Sequence, residues 1–146
     1  QTDMLIAAGN TGKIVNIKKA QFLNAEKMKF AVDKVKSTGN EKVWLTERGT
    51  LYGPSELVVD FRNIKKLATL TKDVVMDCTH AAQETQGNDG KTGGNRAYVP
   101  YFAKTAKLWG ANAFFLETHP NPDQGLSDGP NMLKLSDLDA LVRALI

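Results

Sequence analysis

Four short apolar runs constrain the fold of this chain more than any other feature, because each run ends abruptly in charged or polar residues. The runs cover residues 14–18, 42–46, 73–78 and 113–116. Runs of this length are typical of buried strands in the parallel sheet of an α/β protein. The polar residues that end each run then lie at the carboxyl end of a strand, which is where such proteins bind ligands.

Segments with helical patterns alternate with these runs and cover residues 2–10, 25–37, 63–70, 98–109 and 136–145. We predict N-caps at Asn24 and Ser136 and helix ends at Gly39 and Gly110. Alternating strands and helices predict parallel strands joined by right-handed crossovers. Four such units form either a small open sheet or half of an eight-stranded β/α (TIM) barrel. A complete barrel takes ~250 residues, so the length of 146 residues favours the half-barrel.

We expect one domain over residues 1–146, because no linker or low-complexity segment divides the chain. The net charge is +3 and no block of five like charges occurs, which argues against a nucleic-acid surface and favours a small anionic ligand.

No apolar run approaches the ~18 residues of a membrane span. The single Cys78 fits a cytoplasmic protein. Because the chain begins at Gln1 and opens with a helix, we expect a fragment.

Basic residues gather at the ends of the first two runs. Lys18 and Lys19 end the first run, Gln21 follows it, and Arg48 follows the second run. Lysine and arginine are the usual ligands of phosphate and carboxylate groups. We therefore predict that these four residues bind an anionic substrate, although alternation along a strand lets at most one of the two lysines face the site. The alternative is that the lysine pair is only a solvated strand end.

A histidine and two carboxylates follow the last two runs. His80 comes after the third run, and Glu117 and Asp128 come after the fourth. One imidazole with two carboxylates suits a divalent metal ion such as Mn, Fe or Zn. The same three residues could instead act without metal, with His80 as general base, or form structural hydrogen bonds. No pair of histidines at helical or strand spacing decides among these alternatives, so we treat all three residues as catalytic candidates.

Two other features near these residues have less specific interpretations. Cys78 lies within a strand, where a lone cysteine is usually a small buried hydrophobic residue. A long loop over residues 81–95 bears glycine and asparagine. Its segment GNDGKTGGNR, residues 87–96, presents Lys91 and Arg96 and is long enough to cover a site as a lid. His119 is either a partner of Glu117 or an ordinary loop histidine.

Six motifs occur in a fixed order along the chain: KIVNIKKAQF, TERGTLYG, LVVDFRN, DCTHAAQ, TGGNR and ETHPNPDQGLSDGPNML. Together they closely resemble the carboxyl-terminal half of the 3-deoxy-D-manno-octulosonate-8-phosphate synthases, and the resemblance covers almost the whole chain. The broader family includes the 3-deoxy-arabino-heptulosonate-7-phosphate synthases. The KKAQF and TGGNR segments favour the octulosonate enzymes.

The resemblance implies an eight-stranded β/α barrel that usually assembles as a homotetramer. It implies condensation of phosphoenolpyruvate with D-arabinose 5-phosphate, which yields 3-deoxy-D-manno-octulosonate 8-phosphate, a lipopolysaccharide precursor, and inorganic phosphate by carbon–oxygen cleavage. Lys18, Gln21 and Arg48 match the phosphoenolpyruvate-binding positions of the family. His80, Glu117 and Asp128 match its three metal-binding positions. The fourth metal position is a Cys or an Asn on a first strand that this sequence does not include, so a metal-dependent and a metal-independent enzyme both stay open.

Two alternatives to the octulosonate synthase remain at this point. One is the heptulosonate enzyme, which uses erythrose 4-phosphate in place of arabinose 5-phosphate. The other is a half-barrel without catalytic activity that binds phosphate or serves a regulatory role, because the upstream lysines and the first-strand metal ligand are not in this sequence.

Overall fold

Within residues 1–52, 56–85 and 93–146, the part of the chain that the computed structural model describes, strands and helices alternate as the sequence predicts. The strands are β1 (Val15–Lys18), β2 (Val43–Glu47), β3 (Thr50–Leu51), β4 (Leu57–Val58), β5 (Asp73–Asp77), β6 (Gln83–Glu84), β7 (Gly93–Gly94), β8 (Ala113–Phe115), β9 (Thr118–His119) and β10 (Leu133–Lys134). The α-helices are α1 (Thr2–Asn10), α2 (Lys29–Lys36), α3 (Arg62–Leu67), α4 (Val99–Trp109) and α5 (Leu135–Leu145). None of these helices has the length and apolar content that crossing a bilayer requires. Lys91, which we placed in a lid, lies outside the described residues.

The central sheet contains four parallel strands in the order β1-β2-β5-β8, which confirms the predicted parallel pairing. Lys18 at the end of β1 is in register with Thr46 of β2, and Asp77 at the end of β5 is in register with Phe115 of β8. This register keeps the four carboxyl ends level, so the loops after all four strands open on one edge of the sheet. Among the described residues, the outer sides of β1 and β8 have no strand partner.

One hydrophobic core fills the space between the sheet and the helices. The two central strands contribute alternate residues to it, which are Val43 and Leu45 of β2 and Val74 and Met76 of β5. The helices contribute Val32, Val35, Ile64, Leu67, Val99, Ala103, Leu141 and Leu145. Because alternate residues face this core, the intervening residues face the opposite side of the sheet.

The predicted helix signals are confirmed at three positions. The Asn24 side chain accepts a hydrogen bond from the backbone N–H of Lys27 and caps a 3₁₀ turn over Ala25–Met28 that leads into α2. Gly39 and Gly110 follow α2 and α4 with φ angles of +83° and +96°. Glycine adopts this left-handed conformation without strain, which is why it ends both helices.

Two local features differ from the sequence analysis. The predicted N-cap at Ser136 is wrong, because α5 begins one residue earlier, at Leu135, and the Ser136 hydroxyl is bonded to the Asp137 carboxylate. The short pairs β3 with β4, β6 with β7 and β9 with β10 were not predicted. Strands of two residues show no alternation of apolar and polar positions, so no pattern in the sequence could reveal them.

We expect Leu45→Ala to lower the free energy of unfolding by ~2–5 kcal/mol, because it removes a fully buried side chain of the central strand and leaves a cavity. Leu108→Ala is the matched control, since Leu108 is 86% exposed on α4. That change should alter the free energy by no more than ~0.5 kcal/mol. Urea denaturation followed by circular dichroism measures both, and equal effects at the two sites would contradict the placement of the core.

Candidate active site

The carboxyl edge of the central sheet brings together most of the residues that the sequence analysis selected. Lys18 ends β1, Arg48 follows β2, His80 follows β5 and Glu117 follows β8. Asp128 reaches the same edge from the loop before β10. These residues come from separate parts of the chain, so it is the in-register parallel pairing of the four strands that makes them neighbours.

Asp77 lies at the centre of this edge, and its side chain is fully buried. Its Oδ2 lies 2.6 Å from the Lys18 ammonium and 2.8 Å from Nδ1 of His80, and its Oδ1 accepts from the backbone N–H of His80 at 2.9 Å. Burial by itself raises the pKa of Asp77, but the hydrogen bonds from His80 and Lys18 outweigh it and hold the pKa below its ordinary value. Asp77 therefore stays ionised and fixes a lysine and a histidine from two different strands.

His80, Glu117 and Asp128 form a cluster in which the nearest ligand atoms all lie within 4.8 Å of one another. Nε2 of His80 is 3.4 Å from Oε1 of Glu117. Because Nδ1 of His80 faces Asp77, Nε2 is the nitrogen that faces the cluster, which is the usual arrangement of a metal-binding histidine oriented by a carboxylate. One nitrogen and two carboxylates, all partly exposed, fit a divalent ion such as Mn, Fe or Zn.

Gln83 links the Arg48 guanidinium to the carboxylate cluster. Nη2 of Arg48 donates to Oε1 of Gln83 at 2.7 Å and to the carbonyl of His80 at 3.3 Å. Nε2 of Gln83 donates in turn to Oδ1 of Asp128 at 2.8 Å. Burial lowers the pKa of Arg48, and the neighbouring carboxylates partly offset this shift. The guanidinium nevertheless keeps its charge. Nε of Arg48 is buried and has no hydrogen-bond partner among the described residues.

Sequence reasoning missed both linking residues, Asp77 and Gln83. Each lies inside the DCTHAAQ motif, three residues before and three residues after His80. The signal that could have found Asp77 is a carboxylate at the last position of a strand whose interior is apolar. Gln83 offers no comparable signal, because its role depends on Arg48 and Asp128, which lie far away in the sequence.

Phe115 forms an apolar surface beside the charged groups. Its ring centroid lies 4.6 Å from the Lys18 ammonium and 5.7 Å from the centroid of the His80 ring. A cation over an aromatic face is attracted by the ring quadrupole. Phe115 thus packs against both Lys18 and His80 without competing for their hydrogen bonds.

The structure does not bring every selected residue into this cluster. Lys19 is 1% exposed, and its ammonium lies 3.5 Å from Glu47 rather than beside Lys18. Gln21 is tied to the next loop through its carbonyl, which accepts from the backbone N–H of Leu51. The prediction that Cys78 is a buried hydrophobic residue is confirmed, and burial raises the pKa of its thiol.

The remaining two selected residues lie in the loops beyond the cluster. His119 belongs to β9, and its Nδ1 accepts from the backbone N–H of Asn121 at 3.0 Å. Arg96 donates to Asp123 and to the carbonyl of Gly129, so it braces the segment that carries Asp128. Neither residue belongs to the group of ligand atoms around His80.

We expect His80→Ala to weaken Mn²⁺ binding by at least ~100-fold, because loss of a residue that merely orients a ligand costs ~10- to 100-fold and His80 would supply the ligand itself. His119→Ala is the matched control, since it removes the only other histidine of the chain. Titration of the complete protein with Mn²⁺, followed by electron paramagnetic resonance of the free ion, measures both affinities. An equal loss of Mn²⁺ affinity in the two variants would rule out the cluster as the ion site.

Comparisons with known proteins identify the family of this chain. A model of the DAHP synthetase I family matches residues 1–145. Relatives named 2-dehydro-3-deoxyphosphooctonate aldolase are 47% identical in Synechococcus sp. and 47% identical in Desulfatibacillum aliphaticivorans, and each match covers 100% of this chain. It covers 51% and 54% of those relatives, so the chain spans about half the length of the curated relatives it matches.

The fold has a close counterpart among solved structures. A crystal structure of phospho-2-dehydro-3-deoxyheptonate aldolase (DAHP synthase) from Thermotoga maritima superposes with a TM-score of 0.84 at 24% sequence identity. The superposition covers 99% of this chain and 40% of that structure. At this identity the likeness concerns the fold, whereas the family is given by the match along nearly the entire sequence. The chain belongs to the DAHP synthetase I family.

Proposed function

We propose that the complete protein condenses phosphoenolpyruvate with D-arabinose 5-phosphate to form 3-deoxy-D-manno-octulosonate 8-phosphate and inorganic phosphate. The observation that carries the proposal is the linked cluster at one sheet edge, in which Asp77 joins Lys18 to His80 and Gln83 joins Arg48 to Asp128. The relatives named 2-dehydro-3-deoxyphosphooctonate aldolase, which are 43–47% identical to this chain, support this choice of substrate.

Lys18 and Arg48 are suited to bind phosphoenolpyruvate, which carries a phosphate and a carboxylate. The two cations come from neighbouring strands, β1 and β2. The Lys18 side chain is 38% exposed, so its ammonium is accessible while Asp77 holds it in place. Arg48 is partly exposed. Charge-assisted hydrogen bonds from both groups would fix the two ends of the substrate.

His80, Glu117 and Asp128 are proposed to act on the aldehyde and on water, with or without a divalent metal ion. In the reaction, C3 of phosphoenolpyruvate bonds to the aldehyde carbon, the oxygen of water adds to C2, and the bond between C2 and the phosphate oxygen breaks. The water loses both of its protons as C2 becomes a ketone: one reaches the former aldehyde oxygen, which becomes a hydroxyl, and the other leaves with the phosphate. The two carboxylates are placed to transfer these protons. A bound ion would contribute Lewis-acid polarisation and orientation. Asp77 keeps the His80 ring in the orientation that this site needs.

The central sheet is proposed to be the carboxyl-terminal half of an eight-stranded β/α barrel. All four strands are parallel, and among the described residues the two outer strands each leave one side without a partner. Open strand edges of this kind are normally covered. Four further parallel strands would cover both edges at once. The fold likeness to an enzyme of which the chain covers 40% supports the same arrangement.

We also propose a homo-oligomer, a tetramer in keeping with the resemblance, and a cytoplasmic location. Phe22 and Tyr52 support an assembly, since these large side chains are 85% and 87% exposed on loops joined by the hydrogen bond from Leu51 to Gln21. Exposed apolar groups that lie close together are typical of contact surfaces. The buried thiol of Cys78 is compatible with a reducing compartment.

The heptulosonate reaction, which uses erythrose 4-phosphate, is the second candidate. The name of the family and the name of the Thermotoga maritima enzyme favour it. Two observations argue against the heptulosonate reaction. The relatives with higher identity are named 2-dehydro-3-deoxyphosphooctonate aldolase, and the KKAQF and TGGNR segments favour the octulosonate enzymes. The two reactions differ only in the aldose, so the substrate itself discriminates them.

We expect the complete protein to release inorganic phosphate from phosphoenolpyruvate when arabinose 5-phosphate is present and not when erythrose 4-phosphate replaces it. Colorimetric phosphate detection with each aldose, and with no aldose as the blank, measures this directly. Release with erythrose 4-phosphate would assign the heptulosonate reaction. Release with neither aldose would favour the half-barrel that lacks catalysis.

We expect Arg48→Ala to weaken phosphoenolpyruvate binding by ~1.5–3 kcal/mol, because it removes a charge-assisted contact. This corresponds to roughly 10- to 150-fold in Kd. Arg62→Ala is the control, since the Arg62 side chain is 74% exposed and pairs with the nearby Asp60. Isothermal titration calorimetry compares the two variants. Unchanged affinity in Arg48→Ala would remove Arg48 from the binding site.

A further inference from the structure

We propose that Lys19 and Glu47 act as a positioning pair that sets the spacing of Lys18 and Arg48, the two cations assigned to phosphoenolpyruvate under the proposed function. The two side chains are fully buried, and their charged atoms lie 3.5 Å apart. Neither can contact a ligand from solvent. The pair therefore has a different task from the neighbouring residues Lys18 and Arg48, which face the site.

The Lys19 ammonium binds the loops on both sides of it. It donates to the carbonyl of Gly49 at 3.0 Å and to the hydroxyl of Thr50 at 3.2 Å, both in the segment that follows β2. It also lies 3.3 Å from the carbonyls of Ala20 and Leu23, in the loop after β1. One ammonium thus joins the loop that follows Lys18 to the loop that follows Arg48.

The Glu47 carboxylate fixes the backbone on either side of the Arg48 Cα. Its Oε1 accepts from the backbone N–H of Gly49 at 2.7 Å and from that of Arg48 at 3.2 Å. Gly49 has a φ of +88°, a conformation that a side chain would strain. The turn that directs Arg48 towards Gln83 therefore depends on the carboxylate that holds it and on the glycine that permits it.

Stability alone does not account for this pair. Oε2 of Glu47 is buried and has no hydrogen-bond partner among the described residues, so the carboxylate is only partly satisfied. Replacing a buried ion pair by neutral groups of similar size is often neutral or stabilising, whereas removing one partner is strongly destabilising. What the charged pair adds is the set of bonds from one ammonium to two loops. A neutral pair of the same size cannot make those bonds.

Three variants separate positioning from stability in the complete protein. Lys19→Met leaves the Glu47 charge buried and unpaired, whereas the double variant Lys19→Met/Glu47→Gln removes both charges. The control is Lys29→Met/Asp33→Asn, which removes an exposed ion pair of α2. For each variant we would measure the urea midpoint, the Kd for phosphoenolpyruvate by calorimetry, and the solvent exchange rate of the Arg48 Nε–H by nitrogen-15 NMR.

We expect the double variant to recover most of the urea midpoint lost in Lys19→Met and still bind phosphoenolpyruvate at least about tenfold more weakly than the wild type. Its Arg48 Nε–H should exchange at least about tenfold faster, because the turn that holds the guanidinium is released. The control pair should change neither quantity. Should Lys19→Met not fold, the double variant still provides the comparison. Thr50→Val, which removes one acceptor of Lys19, should shift both quantities in the same direction by a smaller factor.

Wild-type affinity and wild-type exchange in a double variant of restored stability would overturn the inference. A wild-type protein that does not bind phosphoenolpyruvate would contradict the proposed function instead. In that case the exchange rate of Arg48 alone decides the inference, since it requires no ligand.

Discussion

Asp77 places a fully buried carboxylate at the end of the third strand of the central sheet, and the arrangement of the neighbouring site residues depends on it. A buried charge without partners costs several kcal/mol, so Lys18 and His80 must both remain engaged. The lysine suited to bind an anionic substrate and the histidine suited to bind a metal ion are therefore held by one group. A displacement of either one leaves the Asp77 charge less compensated, which couples the two halves of the site.

A second constraint is the level register of the parallel strands. It places Arg48, His80 and Glu117 on one edge although they come from three different loops. Gln83 and the buried pair of Lys19 and Glu47 then connect these loops to one another. Under the proposed function, these linking side chains set the positions of the groups proposed to bind the ligand, and rigid positioning of this kind is what electrostatic catalysis requires.

The sequence was sufficient to predict the parallel sheet and the cluster of His80, Glu117 and Asp128, because strand ends and charge follow simple rules of alternation. It was not sufficient to decide which of two adjacent lysines faces the site. That choice depends on the buried partner Glu47, whose carboxylate looks in the sequence like part of an ordinary strand end. The sequence analysis also did not identify Gln83, because its partners Arg48 and Asp128 are distant in the sequence. The predicted N-cap at Ser136 was wrong because α5 begins at Leu135, one residue before the helix start that the sequence pattern indicated.

The most direct test of the central claim is a crystal structure of the complete protein soaked with phosphoenolpyruvate. We predict electron density for the ligand at the carboxyl edge of the central sheet, with its two anionic groups against the Lys18 ammonium and the Arg48 guanidinium. Lys19 should remain buried beside Glu47 and should not contact the ligand. Density for phosphoenolpyruvate at any place that leaves Lys18 and Arg48 without contact would contradict the central claim.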